Sequence, residues 1–142
     1  MKTNKEYSNA VDLEEYPESP LVPLDSPFID DRGSIQNLLN TAMHGAAIIT
    51  SKAGSVRSNH WHKTDWHYLY VLSGSMEYYE RPTDPKASFH AEPIIVKAGQ
   101  MVFTPPDMIH KTVFLEDTIL LSFSKRNRDH VSHEEDVIRE NF

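Results

Sequence analysis

The chain is divided into many short apolar runs, each bounded by turn-forming residues. The runs cover residues 34–38, 46–50, 55–60, 67–72, 75–80, 94–96, 100–103, 111–115 and 118–123. Runs of this length are typical of β-strands, and so many at close spacing predict an all-β sandwich or barrel. With 142 residues, the chain is long enough for one such domain with a substantial core.

The segments on either side of these runs differ from them in composition. Residues 1–25 are polar and acidic with little periodicity, which predicts a flexible N-terminal arm before a barrel at 26–124. Residues 125–142 form a charged tail. Within it, Ser132 and Glu135 have the spacing of a capping box, which predicts a short C-terminal helix.

Composition excludes several classes of partner. The chain has no cysteine, so disulfides and thiolate metal ligands are both absent. No apolar run approaches the roughly 18 residues of a membrane span, and we expect a cytoplasmic protein that does not bind membranes. A net charge of −7 disfavours non-specific binding to nucleic acid.

Four histidines are spaced along the chain so that such a barrel would bring them into one cavity. His60 and His62 are two residues apart, so on a strand they point to the same side. His67 is in phase with the apolar residues that follow it, which predicts the buried face of the next strand. His110 follows a Pro-Pro-Asp turn. Imidazole suits zinc, copper, iron and nickel, so the four histidines predict one divalent transition metal ion. The candidates for that ion are zinc, iron, nickel and manganese.

Two other interpretations of the histidines stay open at this point. The four could be unrelated residues on strand faces, some of them hydrogen-bonded to carbonyl groups in the core. Alternatively, the site is free of metal and His60 or His62 is a general base. If all four bind metal, the base must come from elsewhere, and the sequence offers Lys63, Asp65 and Tyr70 as candidates. Asp65 could bind the metal or accept an imidazole N–H, but an aspartate in such a position is more often a turn residue between strands.

The segment 54–74 resembles the first sequence motif of the cupin superfamily. That motif has a glycine, five residues, His-x-His, three or four residues, a glutamate, six residues and a second glycine. Gly54, His60, His62 and Gly74 match it. His67 stands where glutamate is usual, so a neutral ligand replaces an anion, which favours a borderline metal over a hard one such as magnesium.

The segment 99–114 resembles the second cupin motif. That motif has a glycine, five residues, Pro-x-Gly, two residues, a histidine, three residues and an asparagine. Gly99, Pro105 and His110 match it. Asp107 replaces the second glycine, and the asparagine position holds phenylalanine.

The resemblance implies a single cupin barrel, a double-stranded β-helix or jelly roll, of the four-histidine metal-binding variant. It assigns the metal to the positions that match the family's ligands, which are His60, His62, His67 and His110. Cupins of this size commonly pair by exchanging N-terminal strands. The resemblance therefore implies a homodimer, and the arm before Phe28 is the candidate for the exchange.

A narrower resemblance concerns the substrate. Asp31-Arg32-Gly33 is similar to a strand near the start of deoxysugar-nucleotide epimerases, and 57–63 is similar to a stretch of sugar-nucleotide ketoisomerases and capsular-sugar epimerases. In those enzymes the arginine contacts a diphosphate, and a histidine takes a proton alpha to a ketone. The resemblance implies Arg57 and Arg32 as substrate-binding residues of an epimerase or isomerase that acts on a nucleotide-linked sugar.

Two other functions fit the same residues. Four histidines on an octahedral ion leave two positions open, as a metal-dependent dioxygenase of a small organic molecule requires. A cupin that binds a small ligand without catalysis is the third alternative, and a closed tetrahedral zinc would favour it.

Overall fold

The computed structural model describes residues 19–89, 92–126 and 136–140. Its strands are β1 (Leu21–Val22), β2 (Phe28–Asp30), β3 (Gly33–Ile35), β4 (Gly45–Ser51), β5 (Val56–His62), β6 (His67–Ser73), β7 (Ser75–Pro82), β8 (Ile94–Lys97), β9 (Met101–Thr104), β10 (Met108–Phe114), β11 (Thr118–Ser124) and β12 (Val137–Arg139). Each apolar run of the sequence coincides with one of the strands β3 to β11. The all-β class is confirmed.

Two five-stranded antiparallel sheets face each other. Sheet A has the order β1-β9-β6-β11-β4, and sheet B has the order β12-β5-β10-β7-β8. From β4 onward the chain alternates between the two sheets, apart from the β7–β8 hairpin. This alternation is typical of a jelly roll. Strands β2 and β3 form a separate two-stranded hairpin.

The main core lies between the two sheets. Strand β6 contributes Leu69 and Val71 to this core. Both residues point inward, in phase with His67, as predicted. The other buried residues of this core are Met76, Tyr78, Val96, Val102, Phe114 and Leu120. A second apolar cluster contains Tyr68 and Phe103, which alternate with core residues and so lie on the outer face of sheet A.

The C-terminal helix predicted in residues 125–142 is not seen in the part of the tail that the structure describes. Val137–Arg139 form strand β12 instead, with Val137 opposite His62 and Arg139 opposite His60 on β5. Without β12, β5 would be an edge strand with unpaired backbone groups, and pairing satisfies them. The capping-box residues Ser132 and Glu135 lie outside the described residues.

Two further predictions concern the ends of the chain. Most of the N-terminal arm predicted at 1–25 lies outside the described residues, and its described part contains β1, which pairs with β9. Among the residues that the structure describes, no helix has the length and apolarity needed to cross a membrane.

Candidate metal and substrate site

A cavity of about 430 Å³ lies between the sheets, bounded by β4, β11 and β6 on one side and by β5, β10 and β12 on the other. Its wall combines apolar core residues such as Leu69 and Leu120 with His60, His62 and His67. The volume falls within the range of about 300–1,000 Å³ that is usual for small-molecule sites.

The four predicted histidines lie together, and three of them, His60, His62 and His67, line this cavity. The ring centroids of His60 and His62 are 4.8 Å apart, and those of His60 and His110 are also 4.8 Å apart. One ring nitrogen from each of these three residues lies within 4.8 Å of the others. His67 lies beside this set, with its ring centroid 5.3 Å from those of His62 and His110. The three-histidine set has the proximity that a metal ion requires.

A bulge in strand β5 brings His60 opposite His110. The pairing of β5 with β10 passes from His60–His110 to Ser58–Lys111, so Asn59 is the extra residue. Ser58 and Asn59 both have positive φ, 71° and 59°. Such backbone angles are costly for residues other than glycine, and bulges commonly redirect side chains at functional sites.

The hydrogen bonding of His110 leaves one of its nitrogens available to a ligand. Its Nδ1 lies 3.1 Å from the Met108 carbonyl oxygen, which can only accept, so Nδ1 carries the proton and donates. Burial lowers the pKa of His110 to about 4. The ring is therefore neutral at ordinary pH, and its buried Nε2 bears a lone pair with no hydrogen-bond partner among the described residues. This is the state in which histidine binds a metal.

The carboxylate of Asp136, the residue directly before β12, lies beside the ring of His62. Asp136 Oδ2 is 3.5 Å from His62 Nδ1, and Oδ1 accepts hydrogen bonds from the backbone N–H and the hydroxyl of Thr64 at 2.9 and 2.8 Å. Burial raises the pKa of Asp136, but the hydrogen bonds from Thr64 and Asp65 outweigh burial, so the pKa lies below its ordinary value. Asp136 is therefore an anion that can fix the orientation of the His62 ring.

Two arginines lie at the same cavity. The guanidinium of Arg57 donates to Ser51 Oγ at 2.7 Å and to the Thr50 carbonyl oxygen at 2.9 Å. These bonds hold it against β4 and leave other N–H groups for a ligand. Arg139 comes from β12, directly opposite His60. Two guanidinium groups beside a histidine cluster suit an anionic substrate.

The other residues proposed from the sequence are not among the described residues that line this cavity. Asp65 Oδ1 accepts the backbone N–H groups of Trp66 and Arg126, both at 2.9 Å, so its carboxylate joins a loop to the end of β11. Tyr70 packs on the outer cluster of sheet A, and Lys63 is exposed. Arg32 lies at the turn of the β2–β3 hairpin, where its guanidinium donates to Asp30 Oδ2 at 2.6 Å.

Sequence reasoning missed Asp136 and Arg139. Both belong to the charged tail, and neither stands at a motif position or in an apolar period that would have marked it. Their place depends on the pairing of β12 with β5, which joins residues more than 70 positions apart. The two residues can be recognised only from the fold. Once β12 pairs with β5, the carboxylate of Asp136 and the guanidinium of Arg139 lie near the histidines.

Comparison with known proteins agrees with this architecture. The sequence profile described as "Cupin domain" matches residues 47–123, which is just over half of the chain. Among solved structures, a 3,4-ketoisomerase from Helicobacter canadensis is similar with a TM-score of 0.71 and 19% identity over 88% of this chain and 92% of that one. A double mutant of QdtA, a 3,4-ketoisomerase from Thermoanaerobacterium thermosaccharolyticum, in complex with TDP has a TM-score of 0.65 and 21% identity over 81% of this chain and 83% of that one.

A third similar structure is longer than this chain. The capsular polysaccharide assembling protein CapF from Staphylococcus aureus has a TM-score of 0.61 and 23% identity, over 84% of this chain and 32% of its own. The chain therefore spans about a third of the length of CapF. No curated protein matches the sequence. At these identities, the similar structures establish the shared fold.

Proposed function

The chain belongs to the cupin domain family, and from that premise we propose that it is a metal-dependent isomerase that acts beside the ketone of a nucleotide-linked sugar. The observation that carries the proposal is the cluster of His60, His62 and His110, of which His60 and His62 line a cavity together with Arg57 and Arg139. The similar folds of two sugar 3,4-ketoisomerases support the reaction class.

The metal in this proposal is a divalent zinc, iron, nickel or manganese ion held by His60, His62 and His110. Their ring nitrogens approach one another within 4.8 Å, and the neutral His110 ring has its Nε2 lone pair available. Three protein ligands leave a coordination position open, as catalytic sites do, whereas four would close a tetrahedral zinc site.

The substrate in this proposal carries a diphosphate. Arg57 and Arg139 line one cavity with the histidines, and a guanidinium can hold a phosphate by two hydrogen bonds. Arg57 is held by two hydrogen bonds to β4, so less conformational entropy is lost when it binds a phosphate. The complex of QdtA with TDP supports a nucleotide of this kind as the ligand.

Isomerisation beside a ketone requires the removal and return of a proton. When bound, the divalent ion supplies Lewis-acid polarisation of the carbonyl oxygen. A histidine that binds metal cannot accept a proton, since its lone pair is committed. His67 is buried beside the three ligands, and in this proposal it takes the proton from the carbon next to the ketone. The C–H electron pair forms the new C=C bond while the carbonyl π electrons move onto the carbonyl oxygen, which takes up a proton to give an enediol. The proton from carbon then returns to the former carbonyl carbon, and the hydroxyl on the adjacent carbon loses its own proton and becomes the new ketone.

Solvent deuterium exchange tests this assignment. In D2O, the wild type is expected to place deuterium on a carbon beside the ketone of a TDP-linked keto-sugar. His67→Gln should exchange about 100-fold more slowly or worse, because general base catalysis is worth about 10² or more. The variant should keep its metal. His44→Gln is the matched control, since His44 lies outside the cavity and its ring bonds to the Lys125 carbonyl. Undiminished exchange in His67→Gln would contradict the role of His67.

A further inference from the structure

A second cavity, of about 640 Å³, lies at the end of the barrel where the β4–β5 turn meets the β10–β11 turn. Of the described residues, only Arg57 lines both this outer cavity and the cavity lined by three of the histidines (the histidine cavity). Its guanidinium donates to Ser51 Oγ and to the Thr50 carbonyl oxygen, and both of these residues belong to the wall of the outer cavity. The Arg57 guanidinium therefore lies at the border between the two cavities.

Sheet A lies between the two cavities. Ile49 and Leu120 are cross-strand partners on β4 and β11, and both line the histidine cavity. The adjacent residues Thr50 and Ile119 are also cross-strand partners, and both line the outer cavity. Successive side chains of a strand point to opposite faces of its sheet. Because β4 is the edge strand of sheet A, a ligand can extend from one cavity to the other past this edge, where Arg57 lies.

The proposed substrate consists of a sugar, a diphosphate and a nucleoside, joined in that order. Its ketone must lie beside the histidines for the proposed reaction, which places the sugar in the histidine cavity. The diphosphate is assigned to Arg57, at the border of the two cavities. The nucleoside is joined to the far end of the diphosphate, so it lies on the other side of Arg57 from the sugar. The outer cavity begins at this point.

Lys52 gives the outer cavity a second cation. It belongs to the β4–β5 turn and to the wall of the cavity. Two hydrogen bonds fix this turn: Ser55 Oγ donates to the Lys52 carbonyl oxygen at 2.6 Å, and the Ala53 N–H donates to Asp117 Oδ1 at 2.9 Å. The described wall thus carries two cations and one carboxylate, and this carboxylate already accepts a hydrogen bond from the turn. Such a wall favours an anionic ligand.

We propose that the outer cavity binds the nucleoside half of the substrate, with the phosphate next to the nucleoside held by Lys52 and Arg57. The hydroxyl groups of Thr50 and Ser73 can donate and accept hydrogen bonds with the pentose and the base, and Ile119 adds apolar surface for the base. This inference rests on the proposed function, because it takes the sugar to lie at the histidines. It makes Lys52 a further substrate-binding residue.

Methyl NMR of the full chain tests where the nucleoside binds. TDP lacks the sugar, so it should shift the Thr50 and Ile119 methyl signals saturably and leave those of Leu69 and Thr112 in place. A TDP-linked keto-sugar should shift both sets. Thymidine lacks the diphosphate and should bind about 10-fold more weakly than TDP, or worse. TDP shifts confined to Leu69 and Thr112, or no saturable shift at Thr50 and Ile119, would overturn the proposal.

The same titrations separate this inference from the proposed reaction. Saturable TDP shifts at Thr50 and Ile119 without deuterium exchange into the keto-sugar would contradict the isomerase and still support the nucleotide site. Deuterium exchange together with TDP shifts at Leu69 and Thr112 alone would support the isomerase and overturn the nucleotide site.

Two exposed lysines provide matched variants. Lys52 lines the outer cavity, whereas Lys97 lies at the end of β8 and belongs to the described wall of neither cavity. Lys52→Ala should weaken TDP binding about 10-fold or more, as expected when a charged hydrogen-bond partner is lost, and Lys97→Ala should leave it unchanged. Lys52→Glu should weaken it further, because it places a negative charge beside the phosphate. Equal TDP affinities in Lys52→Ala and Lys97→Ala would overturn the role of Lys52.

Discussion

Replacement of Gly74 by alanine is expected to destabilise the fold more than the same replacement at Gly54 or Gly99. Gly74 joins β6 to β7 with a φ of 93°, and it lies against the turn between β10 and β11. An added Cβ would meet Thr118 Oγ1, and it would lie 2.6 Å from the Asp117 carbonyl oxygen and 2.7 Å from Thr118 Cα. Two of these three atoms are backbone atoms, so no side-chain rotation relieves the overlap.

Gly54 and Gly99 serve as controls, because they separate the cost of backbone strain from the cost of steric overlap. Gly54 and Gly99 have φ values of 83° and 87°, and an added Cβ at either would meet no described heavy atom within 4 Å. Alanine there costs only the positive φ, which is roughly 1–2 kcal/mol. At Gly74 the overlap must also shift the facing turn, whose Thr118 hydroxyl donates to the Ser75 carbonyl oxygen at 3.1 Å. Overpacking and a weakened hydrogen bond add about 1–3 kcal/mol.

Urea denaturation followed by circular dichroism measures this difference. Gly74→Ala should lose about 2–5 kcal/mol of unfolding free energy, a large part of the total of about 5–15 kcal/mol that is usual for a domain. Its melting temperature should fall several degrees further than that of either control, since about 1 kcal/mol corresponds to roughly 3–4 °C at this chain length. Equal losses in Gly74→Ala, Gly54→Ala and Gly99→Ala would refute the argument from close contact.

Three other predictions follow from the site and the surface. Arg57→Ala should weaken TDP binding in calorimetry by about 1.5–3 kcal/mol, and unchanged affinity would remove its proposed role. Asp136→Asn should lower stability at neutral pH, and this loss should shrink as the pH falls below the ordinary carboxyl value of 3.8, because a carboxylate with a lowered pKa stabilises the fold only while ionised. Urea titrations at neutral and acidic pH check this, and a pH-independent loss contradicts it. The homodimer stays a prediction. The β2–β3 hairpin supports it, because an isolated two-stranded hairpin is only marginally stable and its apolar residues Phe28 and Ile29 are 59% and 71% exposed. A monomeric mass in light scattering would refute it.

The sequence pattern predicted the strands well because its signals are local. Apolar runs bounded by turn residues correspond to β3 through β11, and the phase of His67 with Leu69 and Val71 gave its inner face correctly. The spacing of His60 and His62 likewise predicted one shared side, and the two rings do lie together. Alternation along a strand depends only on neighbouring residues, so it can be read without the fold.

The parts of the site that the sequence did not predict depend on non-local pairing. The tail contributes Asp136 and Arg139 only because β12 covers the edge of β5, and the capping-box signature in the same tail indicated a helix instead. The bulge at Ser58 and Asn59 has no glycine to mark its positive φ values. The carboxylate of Asp65, a candidate base, is engaged by two backbone N–H groups that come from different parts of the chain.

The metal content of the purified chain tests the central claim most directly. After expression in metal-replete medium, elemental analysis should find about one equivalent of a divalent transition metal per chain, as a single three-histidine site requires. His110→Gln should lose most of that metal, because it removes one ligand of the set, whereas His67→Gln should retain it. Less than about 0.2 equivalents in the wild type, or the same content in His110→Gln as in the wild type, would contradict the assignment of the metal to this site.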